Sequence, residues 1–126
     1  MSQEPKPKSR SAWLLTDSPG IHEENLRQLR ALTDFTLEII ESKSLTPVKL
    51  QMPSDIILLD LLGWHADVGA IMSRIEAMPR AKRVLLTPWP GIDVQALKRP
   101  LPWIQLTNPV TKERIGELLE KLENTA

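Results

Sequence analysis

Cysteine is absent from the 126 residues, as is tyrosine, and phenylalanine occurs once, at Phe35. Without cysteine the chain has no disulfide framework, no thiolate metal site and no cysteine nucleophile. An excess of charge is lacking too. Sixteen basic and sixteen acidic residues cancel, which argues against a broad electrostatic attraction to nucleic acid or to an anionic membrane. No apolar run exceeds five residues, far short of the roughly 20 that span a bilayer, and the polar amino terminus does not fit a signal peptide. The five glycines are scattered at Gly20, Gly63, Gly69, Gly91 and Gly116, so no strand is followed by a glycine-rich phosphate loop. A cytoplasmic protein is expected, with neither nucleic acid nor membrane as its partner.

What is present has a clear rhythm. The length suits one domain whose core buries about two-thirds of the unfolded surface. Residues 1–10 hold Pro5, Pro7 and no aliphatic side chain beyond Met1, too little to offset the entropy of ordering, and read as a disordered tail or linker before a domain over 11–126. The run Asp55-Ile56-Ile57-Leu58-Leu59-Asp60 has no polar alternation, the pattern of a strand buried on both faces. Further strands are expected over 11–17, 35–41, 83–87 and 103–107. Helices are expected between them. Over 21–34 the residues Ile21, Leu26, Leu29 and Leu32 form an apolar stripe opposite His22, Glu23 and Glu24. Asp67 can cap a helix reaching about Met78, and Thr111 can cap a last one carrying Ile115, Leu118, Leu119 and Leu122 inward. Prolines confine any helix over 42–53 and over 92–98 to a turn or two. Strand and helix alternating about five times predict a five-stranded parallel sheet, doubly wound, with the second and fourth helices short or missing.

In such a sheet the strand ends Thr16-Asp17, Asp60 and Thr87 share one edge, the edge where open α/β sheets place ligand sites. Two carboxylates there, Asp17 and Asp60, can hold Mg²⁺ through oxygen with water completing the shell.

The segments Ala12-Trp13-Leu14-Leu15-Thr16-Asp17-Ser18-Pro19, Asp55 to Asp60, Val84-Leu85-Leu86-Thr87 and Leu106-Thr107-Asn108-Pro109 resemble, in order, the four signature segments of the receiver domains of two-component signalling. The similarity covers about residues 11–123. It implies the flavodoxin-like receiver fold, with Asp60 as phosphoacceptor, Asp17 as one acid of the Mg²⁺ pair and Thr87 as the switch hydroxyl. The departures are specific. Thr16 stands where the first acid is expected, Asn108 where a lysine is expected, Trp64 where a proline would fall and Gln105 where a switch aromatic is usual. Loss of a close partner for a developing anion is worth about 2–4 kcal/mol. The resemblance is therefore to a degenerate, or pseudo-, receiver.

The expected function is non-enzymatic: a protein-interaction and regulatory module that meets a histidine kinase, a phosphotransfer domain or another receiver, with phosphorylation weakened or lost, no cofactor, Mg²⁺ binding weakened and the oligomeric state open. The alternatives are an atypical receiver still phosphorylated on Asp60 with Mg²⁺, and a small flavodoxin-like ligand-binding protein. Asp17 can equally cap the first helix. Trp13 and Trp103 are expected in the core, while Trp64 and Trp89 are candidate anchors for a protein partner if exposed. His22 and His65 lack ligands at metal spacing and are expected to face solvent.

Overall fold

A computed structural model describes residues 10–46, 49, 51, 54–61, 63–78, 82–87, 103–107 and 110–124. Its strands are β1 (Arg10–Leu15), β2 (Phe35–Ile40), β3 (Ile56–Asp60), β4 (Lys82–Thr87) and β5 (Ile104–Thr107). Three α-helices lie among the described residues: α1 (Glu23–Leu32), α2 (Val68–Glu76) and α3 (Lys112–Asn124). Short 3-10 turns cover Pro19–His22 and Ser42–Ser44. All four strand pairings are parallel, in the order β2-β1-β3-β4-β5. This is the flavodoxin-like arrangement, whose order reverses between β1 and β3 and leaves a crevice at their C-terminal ends.

The apolar runs sit at the centre because they have two faces to fill. All five residues of β3 are buried, and each fully buried aliphatic side chain stabilises the fold by roughly 1.5–3 kcal/mol. Successive residues point to opposite sides. Ile56 and Leu58 join Ala12, Leu14, Val84 and Leu106 in one layer, beneath Leu26 and Leu29 of α1 and Ile115, Leu118 and Leu122 of α3. Ile57 and Leu59 join Trp13, Leu15 and Leu85 in the other, against Ile71, Met72 and Ile75 of α2. Helices therefore cover both faces of the sheet.

The helix starts follow the expected caps in two cases. Asp67 accepts from the Ala70 N–H at 3.1 Å, and the Thr111 hydroxyl accepts from the Arg114 N–H at 3.3 Å, each supplying an acceptor to a helix N-terminus. Arg10, expected in the tail, instead opens β1 and grips Asp34 in a bidentate pair, with Nη2 2.8 Å from Oδ1 and Nε 3.1 Å from each carboxylate oxygen. The segment over 92–98, where a short helix is expected, lies outside the described residues, as do residues 47, 48, 50, 52 and 53, while the described part of 42–53 holds the Ser42–Ser44 turn.

The stripe expected over 21–34 is corrected at its start. Ile21 is 70% exposed and His22 is 1% exposed, the reverse of the expected sides. Ser18-Pro19-Gly20 starts a 3-10 turn rather than an α-helix. His22 stands four and seven residues before Leu26 and Leu29, the spacing of one helical face, so it falls on their inward side, and Ile21, one residue earlier, falls off it. The α-helix proper begins at Glu23, and from there Leu26 and Leu29 face inward as expected. Leu32, also expected on the buried stripe, is exposed.

Candidate functional site

Asp60 closes β3 at the C-terminal edge of the sheet, in line with Leu86 of β4. Its side chain is held from several directions. Thr16, the residue after β1, donates its hydroxyl to Asp60 Oδ2 at 2.8 Å. The same hydroxyl accepts from the Ser18 N–H at 3.1 Å, which aims its proton at Asp60. His22, swung inward by the 3-10 turn, places Nε2 2.6 Å from the same Oδ2. The Gly63 backbone N–H adds a further donor. Only glycine allows this approach, because a Cβ on residue 63 would lie 1.9 Å from Asp60 Oδ2 and 3.0 Å from the Thr16 hydroxyl.

The hydrogen bonds continue beyond the imidazole and determine its tautomer. The Val110 N–H, a donor with no alternative role, lies 3.0 Å from Asn25 Oδ1. That leaves Asn25 Nδ2, also only a donor, facing His22 Nδ1 at 3.0 Å. Nδ1 must then accept, and the ring proton sits on Nε2, directed at Asp60. His22, Asn25 and Asp60 are all buried, where each unmade hydrogen bond would cost roughly 1–3 kcal/mol. Burial pushes the Asp60 carboxyl up, but the bonds from His22 and Thr16 hold it below its ordinary value.

Asp17 is employed elsewhere. Its Oδ1 accepts from the Ser42 N–H at 2.8 Å and the Ser42 hydroxyl at 2.9 Å, and its Oδ2 from the His65 N–H at 2.7 Å. Burial pushes this carboxyl up as well, and the donors of His65 and Ser42 outweigh it, leaving it lowered. Asp17 thus ties the β1 end to the loops after β2 and β3, and neither a helix cap nor a shared carboxylate pair describes it. The Pro19–His22 turn has no side-chain cap.

These donor sets do not fit Mg²⁺. The ion needs oxygen lone pairs, usually from two carboxylates. Both oxygens of Asp17 face N–H groups, Asp60 Oδ2 takes two protons, and Thr16 replaces an acid. Among the described residues there is no group of three or more acids, histidines or cysteines placed to hold a metal.

The other candidates divide. Thr87 ends β4 with its backbone opposite Thr107, and its side chain lies outside the described part, as do Trp89, Asn108 and Pro109. Trp64 is corrected: at 6% exposure it fills the α2 layer beside Trp13 and Ile71 and presents no anchor to a partner. Trp13 and Trp103 are buried as expected. His65 is exposed, whereas His22 is not, because its turn faces the sheet edge. The residues missed by sequence reasoning are His22, Asn25 and Gly63. Helical periodicity did hold a signal for His22, which stands four and seven residues before the buried Leu26 and Leu29, but a stripe drawn through Ile21 passed over it. A sequence signal for Asn25 does exist: it lies three residues after His22, one turn away.

No protein-family model, curated protein or solved structure matches this chain. No helix among the described residues is long and apolar enough to cross a membrane.

Proposed function

We propose that this chain is a receiver-like regulatory module of two-component signalling in which Asp60 has become a structural acid, so that the domain acts by docking to a histidine kinase, a phosphotransfer domain or another receiver and not by accepting a phosphoryl group. The reading rests on the segments that resemble receiver signatures, and one observation carries the loss of phosphotransfer. Asp60 Oδ2 accepts protons from both Thr16 and His22 at a buried position. An attacking carboxylate needs an open oxygen, a metal to neutralise the incoming phosphoryl charge and a cation to stabilise it. At Asp60 the imidazole of His22 occupies an oxygen from inside the protein, and the acid and lysine of the signature are Thr16 and Asn108. The domain would work in the cytoplasm, without cofactor and without catalysing a reaction.

The test is incubation with Mg²⁺ and acetyl phosphate, followed by intact-mass measurement and hydroxylamine trapping of any acyl phosphate. The expected mass is unchanged. An acyl phosphate that maps to Asp60 would overturn the reading in favour of a phosphorylatable receiver.

A further inference from the structure

β2 lies at one edge of the sheet and pairs with β1 alone. An edge strand is a template for a further strand unless something blunts it. Its polarity follows from one bond: the Ile40 carbonyl accepts from the Thr16 N–H at 3.1 Å, so the backbone groups of Ile40 face β1. These groups alternate in direction along a strand. Glu38 therefore also faces β1, while Leu37 and Ile39 turn their N–H and C=O outward. Among the described residues nothing bonds to those outward groups. The open stretch is bounded on both sides, because the Phe35 N–H is taken by the Thr33 hydroxyl at 3.1 Å and the Glu41 carbonyl by the Ser44 N–H at 2.9 Å.

We propose that this open edge is a self-association surface, on which β2 of a second copy of the chain lies antiparallel about a twofold axis at Glu38. The open groups fix that register. With the axis at Glu38, Leu37 of each copy stands opposite Ile39 of the other, and each such pair exchanges both N–H···O bonds. An axis at Leu37 would need the N–H of Phe35, and an axis at Ile39 the carbonyl of Glu41, both already in use. On the α1 face the pairing sets the half-buried side chains of Leu37 and Ile39 against each other, and apolar cross-strand pairs of this kind stabilise a sheet. On the opposite face it brings the two Glu38 side chains together, where like charges oppose the contact. Each Glu38 carboxylate is neutralised within its own copy by Lys49, whose Nζ lies 2.6 Å from Oε2 and 5.6 Å from the centre of the Trp13 ring. The chain as a whole carries no net charge, so two copies approach without long-range repulsion. A second copy thus suits the edge in hydrogen bonds, apolar pairs and charge. The proposal goes beyond the regulatory reading above and does not depend on it.

The experiment uses the whole chain. A short edge contact belongs to the weak, transient class, so sedimentation equilibrium is expected to show a monomer at about 10 μM and a dimer growing in toward about 1 mM. Over the same range, amide exchange in the wild type is expected to slow at Leu37 and Ile39, about twofold by the point where half the chain is dimeric. It is expected to stay constant at Glu38, whose N–H already faces β1. Leu37→Pro removes an outward N–H and leaves the ladder to β1 intact, so it is expected to stay folded and monomeric. Lys49→Ala is expected to weaken dimerisation roughly two- to fivefold by baring the facing carboxylates, and Lys49→Ala combined with Glu38→Gln to restore it. A chain monomeric throughout would leave the edge to a strand of another protein and overturn the proposal. A dimer that persists in Leu37→Pro, that leaves Leu37 and Ile39 exchanging as in the monomer, or that the paired substitution fails to restore would overturn it equally.

Discussion

At the residue scale the molecule turns on the pairing of His22 with Asp60. A buried carboxylate needs donors, and where a lysine and a metal would supply positive charge this chain supplies a hydroxyl, an imidazole N–H and a backbone N–H. Because bonds to a charged group contribute more than neutral ones, His22→Ala is expected to lower unfolding stability by about 2–4 kcal/mol, through the lost bond and the cavity left by the ring. Urea denaturation measures it directly. A loss below about 0.5 kcal/mol, the size of an ordinary surface change, would show that the pair is not structural. Asp17 is a contrasting case. Its type and position match a metal ligand, yet its lone pairs serve Ser42 and His65. Residue type at a motif position therefore predicted where Asp17 and Asp60 lie and not what they touch. The contacts are made by residues distant in sequence, and for His22 the decisive fact was which way a single turn faces.

At the element scale the Pro19–His22 turn has the largest consequence. It rotates His22 inward and Ile21 outward, then hands over to an α-helix whose Leu26 and Leu29 follow the expected stripe. A continuous helix from residue 21 would also carry His22 on the inward face, since it stands four and seven residues before Leu26 and Leu29. Ile21→Ser is accordingly expected to change stability by no more than about 0.5 kcal/mol, whereas Leu29→Ala, at 2% exposure, is expected to cost about 2–5 kcal/mol. Thermal or urea unfolding of the two variants checks the contrast, and a large loss for Ile21→Ser would contradict its exposure. The other elements were legible because their signals are local and strong. Four consecutive aliphatics marked β3, Asp67 and Thr111 marked two helix starts, and apolar spacing marked α3. The first helix was legible in its body; at its start an apolar stripe drawn through Ile21 misses that the spacing of Leu26 and Leu29 continues back to His22, a polar residue that apolar patterning passes over.

At the scale of the whole molecule, alternation of strand and helix was enough to predict the parallel sheet wound on both faces, and the order β2-β1-β3-β4-β5 puts the site at the switch between β1 and β3. The same order brings three lowered carboxyls into the stability of the fold. Asp34 is held down by the Arg10 guanidinium. In Asp17 and Asp60 burial works upward and is outweighed by their hydrogen-bond donors. Each group binds protons less readily folded than unfolded. Their contributions are therefore present above the ordinary carboxylate range, near pH 4, and are lost as the pH falls through the lower native values. Urea midpoints measured downward from about pH 5 are expected to fall, and to fall less steeply in Asp60→Asn, which removes one of the three. An unchanged slope in that variant would mean that the Asp60 carboxylate is not held in its charged form by the fold.

The central proposal is that Asp60, held through Oδ2 by Thr16 and His22, no longer takes part in phosphoryl chemistry. It is tested most directly by recording amide NMR spectra while adding Mg²⁺ and then beryllofluoride, a mimic of the phosphoryl group. The account predicts no saturable shift at Asp60, Gly63 or Thr87 with either addition. Saturable shifts at those residues that vanish in Asp60→Asn would contradict it.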